Sequence, residues 1–234
     1  MSTRTSRPRK RILLASGLVV GVAATATLAL TVDELHVSTQ INVPAWNVEA
    51  SFESPTSGYA EYHNRDTGGY FTLGPGPMKP GDVKYAPVHM RMGAKSTIGA
   101  YLTFISEPRK VTAEAADELM GAILFRVVTS KDNTCTEASF NTTTYPGNKV
   151  LTPKAQNLKS STPVYQATEP INPAAPSTIT LPAAAHAEGE IPVAGPPVTF
   201  CFEFTLPSNV VTTAPKANGQ SVTIVWETDY RSIT

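Results

Sequence analysis

The chain has 234 residues, with 19 Lys plus Arg against 19 Asp plus Glu and a formal charge of zero. That balance hides an asymmetry: residues 1–11 hold five basic groups (Arg4, Arg7, Arg9, Lys10, Arg11) and no acid, leaving 14 basic against 19 acidic groups, or −5, in the rest. A mildly acidic body argues against a nucleic-acid partner, 41% hydrophobic residues argue against gross disorder, and two cysteines are too few for a disulfide scaffold or a Cys-rich zinc site.

Residues 12–32 (ILLASGLVVGVAATATLALTV) follow the basic stretch and contain no charge. A basic region before an apolar one is the pattern of an export signal. At 21 residues the stretch is also long enough to span a bilayer. Residues 1–32 therefore read as a signal peptide cleaved near Ala24, Ala26 or Ala29, or as an anchor that stays in the membrane. The implied partners are a signal peptidase during export and, through residues 12–32, a transient membrane contact. The implied location is secreted, extracellular or on the cell surface. Residues 33–234 read as a single domain.

After the signal the dominant period is two. Val37, Ile41 and Val43 form one extended segment; Trp46, Val48, Ala50 and Phe52 alternate on the opposite parity. A one-residue shift turns every side chain to the other face, so the chain must break at Pro44-Ala45. Strands are expected at Tyr70–Leu73, at 83–92 with Val88, Met90 and Met92 on one face and His89 and Arg91 on the other, and at 97–105. Residues 112–120 read as the one short helix, with Thr112 as N-cap, and 122–129 as a buried strand.

Residues 145–197 hold ten of the 20 prolines and read as a Pro/Ala-rich surface excursion without a regular ladder, save one strand at Ser177–Leu181. Strands resume at 198–206, with Phe200, Phe202 and Phe204 on one face and Cys201 and Glu203 on the other. They end at 221–228, with Val222, Ile224 and Trp226 together after an Asn218-Gly219 turn. Eight or nine strands and one short helix predict an all-β fold, an antiparallel jelly-roll-like β-sandwich. In an exported chain Cys135 and Cys201 tend to pair, closing a loop of 65 intervening residues worth roughly 4 kcal/mol in the chain-entropy model. Two buried free thiols are the alternative.

The residues offer no catalytic constellation. His36, His63, His89 and His186 form no HExxH or i, i+4 pair, and His89 reads as a strand residue facing solvent. No GxSxG or Gly-rich helix-opening loop occurs. Asp117-Glu118 reads as a solvated helix face, and Asn141-Thr-Thr fits the N-glycosylation pattern. No residue is therefore assigned a catalytic, cofactor-binding or metal-ligating role, and no cofactor is expected.

Four stretches in order resemble the camelysin/TasA-like exported proteins of Gram-positive bacteria, whose alternate signal is handled by a dedicated peptidase (the SipW-dependent class). They are TLALTVD at 27–33, PMKPGDVKYAPVHMRMGAKSTIGAYLTFI at 77–105, DELMGAILFRVVT at 117–129, and VTFCFEFTLP with GQSVTIVW at 198–207 and 219–226. The resemblance implies a jelly-roll sandwich outside the membrane. It also implies a structural protein, in some members a biofilm matrix subunit that donates a freed N-terminal strand to the next copy. The donor here would fall at about residues 30–43, with Val37, Ile41 and Val43 its apolar positions. A homo-oligomer or fibre is the expected assembly. Two other readings remain: a camelysin-type extracellular metallopeptidase, for which no zinc motif is present to carry over, and a monomeric surface binding or adhesion module.

Overall fold

The computed structural model describes residues 47–62, 78–110, 117–143, 145, 147–168, 171, 174–175, 178–184, 193–217, 220, 222 and 224–233. The chain divides into two units, Met1–Val43 and Pro44–Thr234, and all described residues belong to the second. The expected signal segment, the segment of Val37, Ile41 and Val43, the strand Tyr70–Leu73, the Thr112 cap and the Asn218-Gly219 turn lie outside the described residues.

Eleven strands appear among the described residues, all paired antiparallel. They are β1 (Val48–Ser51), β2 (Val83–Met92), β3 (Ala100–Ile105), β4 (Arg109–Lys110), β5 (Leu124–Ser130), β6 (Gln156–Asn157), β7 (Tyr165–Gln166), β8 (Ile179–Leu181), β9 (Val198–Thr205), β10 (Ile224–Val225) and β11 (Thr228–Ser232). One sheet has the order β1-β2-β9-β5-β6. A second has β11-β3-β7, with β8 also on β3, and β10 pairs β4. The long strands alternate between layers: β2 in the first sheet, β3 in the second, β5 and β9 in the first, β11 in the second. The fold is an all-β, jelly-roll-like antiparallel sandwich.

The core lies between the layers. Ala86 and Val88 of β2, Phe125 and Val127 of β5 and Phe200, Phe202 and Phe204 of β9 meet Leu102 and Ile105 of β3 and Ile179 of β8. Trp226, between β10 and β11, packs against Phe202 (ring centroids 5.2 Å apart), Phe125 and Phe204. Alternation put the three phenylalanines on one face, and that is the face turned to the second sheet.

Local chemistry sets the strand starts and breaks. Pro80-Gly81 makes the turn into β2: Asp82 N–H donates to the Lys79 carbonyl, and Gly81 has φ 91°. Only glycine adopts that conformation without a Cβ clash. Pro87 sits inside β2, but β1 pairs with β2 only from His89 to Met92, so the missing N–H falls where that ladder has ended. The closing run splits at Trp226-Glu227, where Glu227 N–H bonds the Ser106 hydroxyl at 2.9 Å in place of a ladder partner.

Several expectations need correction. The helix is described from Asp117 to Ala122 (α1), and a second short helix, α2 (Val210–Thr213), joins it, with 3-10 turns at Glu137–Phe140 and Pro215–Ala217. The Pro-rich stretch is not a surface excursion along its length. Besides the expected strand, β8, it supplies β6 and β7, and it buries Thr152, Leu158, Val164, Ile179 and Leu181. Its prolines lie between these two- and three-residue strands, so they interrupt the chain without removing ladder donors. Asp117 is exposed as expected, but Glu118 accepts the Lys216 N–H at 3.0 Å, tying α1 to the turn at Pro215–Ala217.

Candidate functional site: an open sheet edge and a clamped outer face

β11 ends the order of its sheet. Its partner β3 bonds it on one side only. Ile233 N–H donates to Gly99 O at 3.0 Å, and Ser106 N–H donates to Glu227 O at 2.8 Å. In an antiparallel ladder such bonded pairs alternate with unbonded ones. Thr103 is bulged opposite Asp229/Tyr230, which keeps the alternation in step at both ends. The backbone groups of Thr228, Tyr230 and Ser232 therefore face away from β3. Among the described residues the other sheet edges are short, partly covered or blunted: β1 is bridged by Ala60 through Ala50, β5 by Val150 and β6, and the stretch of β2 beyond β1, Val83–Val88, carries Pro87, which has no N–H to offer. Asn47, bonded to Gly93 and Ser96, sits at the same end of the sandwich as Ile233, which bonds Gly99.

Tyr230 anchors the edge strand from inside. Its hydroxyl meets Met90 Sδ at 2.9 Å, and burial pushes its pKa up to about 12. The side chain thus enters the interior as a neutral phenol, and β11 is fixed to the body while, among the described residues, no strand pairs with its outer side.

The second feature is the outer face of the five-stranded sheet. Here Tyr85, Pro87, His89 and Arg91 of β2 lie beside Thr199, Cys201 and Glu203 of β9 and Arg126 and Val128 of β5. Loop 131–143 crosses this face. Cys135 on the loop is bonded to Cys201 on β9, with Cα atoms 5.0 Å apart. Cys201 points away from the sandwich core, so the bridge ties a loop to one sheet and does not join the two layers.

Two further anchors flank the bridge. On one side Thr199 Oγ1 donates to Asn133 Oδ1 at 2.7 Å, and His89 Nδ1 lies 2.7 Å from the same hydroxyl. The threonine proton is committed to Asn133, so His89 donates through Nδ1–H. Asn133 reaches this position with φ 61°, a left-handed conformation that asparagine tolerates. On the other side Arg126 makes a bidentate pair with Glu203, at 2.7 and 2.6 Å, and lies over the Phe140 ring. Tyr85 packs beside Phe140, and burial, reinforced by Glu203, raises its pKa. At the loop's start, hydrogen bonds from Ser130 and Thr134 hold Asp132 below the usual carboxylate range.

His89 corrects the expectation of a surface residue. It is 1% exposed, and burial lowers its pKa. The alternation was right about its face, but that face is roofed by loops. Across β1, Arg91 pairs with Glu49 at 3.0 Å and covers the Tyr59 ring, while Ser51 donates to the Ser57 carbonyl. Residue types alone did not reveal either Arg–Glu pair, because partner choice depends on strand order. A single charge in each of two otherwise uncharged strands, Arg126 in 124–130 and Glu203 in 198–205, was the available signal for the second pair. His36, His63 and His186, like Val37, Ile41 and Val43, lie outside the described residues. Among the described residues no group of three or more His, Cys, Asp or Glu is placed to hold a metal ion. Among them, too, no helix is long and apolar enough to cross a membrane.

A disulfide with one sulfur buried in a central strand persists in oxidising compartments and fits a chain that works outside the reducing cytosol. No family model matches the chain. No curated protein matches it.

Proposed function

We propose that this chain is a secreted or cell-surface structural protein whose copies join by strand donation. Its role on this reading is architectural, not catalytic. The observation that carries it is the β11 edge, whose outward backbone groups at Thr228, Tyr230 and Ser232 form a template for another strand. The matching donor is the segment of Val37, Ile41 and Val43, which precedes a forced break at Pro44 and alternates as a strand would. The basic and apolar residues 1–32 and the Cys135–Cys201 bridge support export, and the resemblance to the camelysin/TasA-like proteins supports a matrix or surface setting.

The test compares a chain of residues 30–234 with one lacking 30–43, by light scattering over a range of concentrations. The longer chain should grow into dimers and polymers while the shorter one stays monomeric. Equal size for the two defeats strand donation.

A further inference from the structure

We propose that loop 131–143 is a redox-releasable lid: reduction of Cys135–Cys201 lifts it from the outer face of the five-stranded sheet and uncovers the His89–Thr199 pair, while the sandwich stays folded. This inference is independent of strand donation and holds whether or not the copies assemble.

The first support is the placement of the bond. It joins a loop to the outer face of β9, whereas the sandwich is held by the opposite face of that strand. β9 is paired with β2 from Val198 to Thr205 and with β5 from Thr199 to Thr205. None of those pairings passes through the loop.

The second support is the exposure of the lid and the polar character of most of its other holds. Lys131, Asp132, Thr134 and Thr136–Ala138 are exposed, as are Asn141–Thr143. Its one fully buried residue, Ser139, accepts Thr136 N–H within the loop through Oγ, while its carbonyl accepts the amide of Asn148, whose Oδ1 accepts Lys131 N–H, so this side of the loop is tied to the neighbouring turn and not to the sheet. Among the described residues, the contacts to the sheet beside the disulfide include Asn133 on Thr199, Asp132 accepting from the Ser130 hydroxyl of β5, the Cys135 sulfur near the Phe202 carbonyl, and Phe140 against Tyr85 and Arg126.

The third support is what lies underneath. His89 and Thr199 are polar, and water can replace the Asn133 hydrogen bond when the lid lifts. Opening a lid over such groups costs far less than exposing the aromatic inner face.

The chemistry follows from accessibility. Cys201 is fully buried, and Cys135 is half-buried on the lid. A thiolate from solvent therefore attacks the Cys135 sulfur. The S–S bond breaks, Cys201 departs as a thiolate and takes a proton, and a mixed disulfide remains on Cys135. With a dithiol reductant the second thiolate attacks that mixed disulfide. Cys135 is released as a thiol, and the reductant leaves as its cyclic disulfide.

The experiment is hydrogen exchange read by mass spectrometry on the oxidised full chain, before and after dithiothreitol. A parallel sample is treated with glutathione and mapped for its adduct. After reduction, amides of 134–143 should exchange at least tenfold faster, with those of 85–91, 125–129 and 200–204 unchanged, and glutathione should be found on Cys135 and not Cys201. Unchanged exchange in 134–143 after complete reduction overturns the proposal. So does simultaneous loss of protection in loop and sheet, with aggregation on reduction counted as that result, and so does an adduct confined to Cys201.

Discussion

The two faces of β9 are both buried, but by different physics. Phe200, Phe202 and Phe204 turn inward to Trp226 and the second sheet, where apolar area leaves water and shape decides the packing. Thr199, Cys201 and Glu203 turn outward to a hydroxyl–imidazole pair, a covalent bridge and a bidentate ion pair. The inner face needs nothing but its neighbours' volume. The outer face needs a specific partner for each group, because an unpaired polar group there has no water to turn to.

The largest expected effects come from setting the two faces against each other. Phe202→Ala removes the ring nearest Trp226 and should cost about 3–5 kcal/mol in denaturant unfolding, as large-to-small core changes do. Glu203→Gln leaves the volume intact and weakens the charge-assisted bonds to the half-exposed Arg126, so it should cost only about 1–2 kcal/mol. Equal losses would mean that the outer face is as tightly organised as the inner one.

A smaller and more diagnostic effect is expected at His89. Burial lowers its pKa in the folded chain below the ordinary value of 6.5. The unfolded chain therefore binds the proton more readily, and stability falls as pH drops from about 6.5 toward the lowered folded value. The groups facing it are Thr199, Ser51 across the β1 ladder and Asn133 through Thr199, all uncharged. Thermal melting between pH 7.5 and 4.5 should show this slope, and His89→Gln should flatten it. A slope unchanged by the substitution would place the proton uptake elsewhere.

How far the residues announced this arrangement varied along the chain. The long central strands β2 and β9 were legible because alternation over eight or more residues has one interpretation, and their facing sides came out as read. β8 falls inside the strand read at Ser177–Leu181, but β6 and β7 were lost because two residues show no period, and the prolines around them hid the fact that Leu158 and Val164 reach the core. His89 was misplaced for a different reason. A period of two says which face a residue joins, not whether a loop roofs that face. The two cysteines were legible as a pair by number and compartment, but where the bridge runs depends on Cys201 sharing a face with Thr199 and Glu203, opposite to the phenylalanines. The open edge of β11 was invisible, since it follows from strand order alone.

That edge carries the account, and a single substitution isolates it. In Ser232→Pro the lost N–H is one that faces away from β3, so the native ladder keeps its bonds while the outer template loses a donor and gains a ring. Light scattering of a chain of residues 30–234 with and without the substitution is the direct measurement. Strand donation to β11 predicts polymers for the parent and monomers for the variant at an unchanged melting temperature; a variant that polymerises as well as its parent contradicts it.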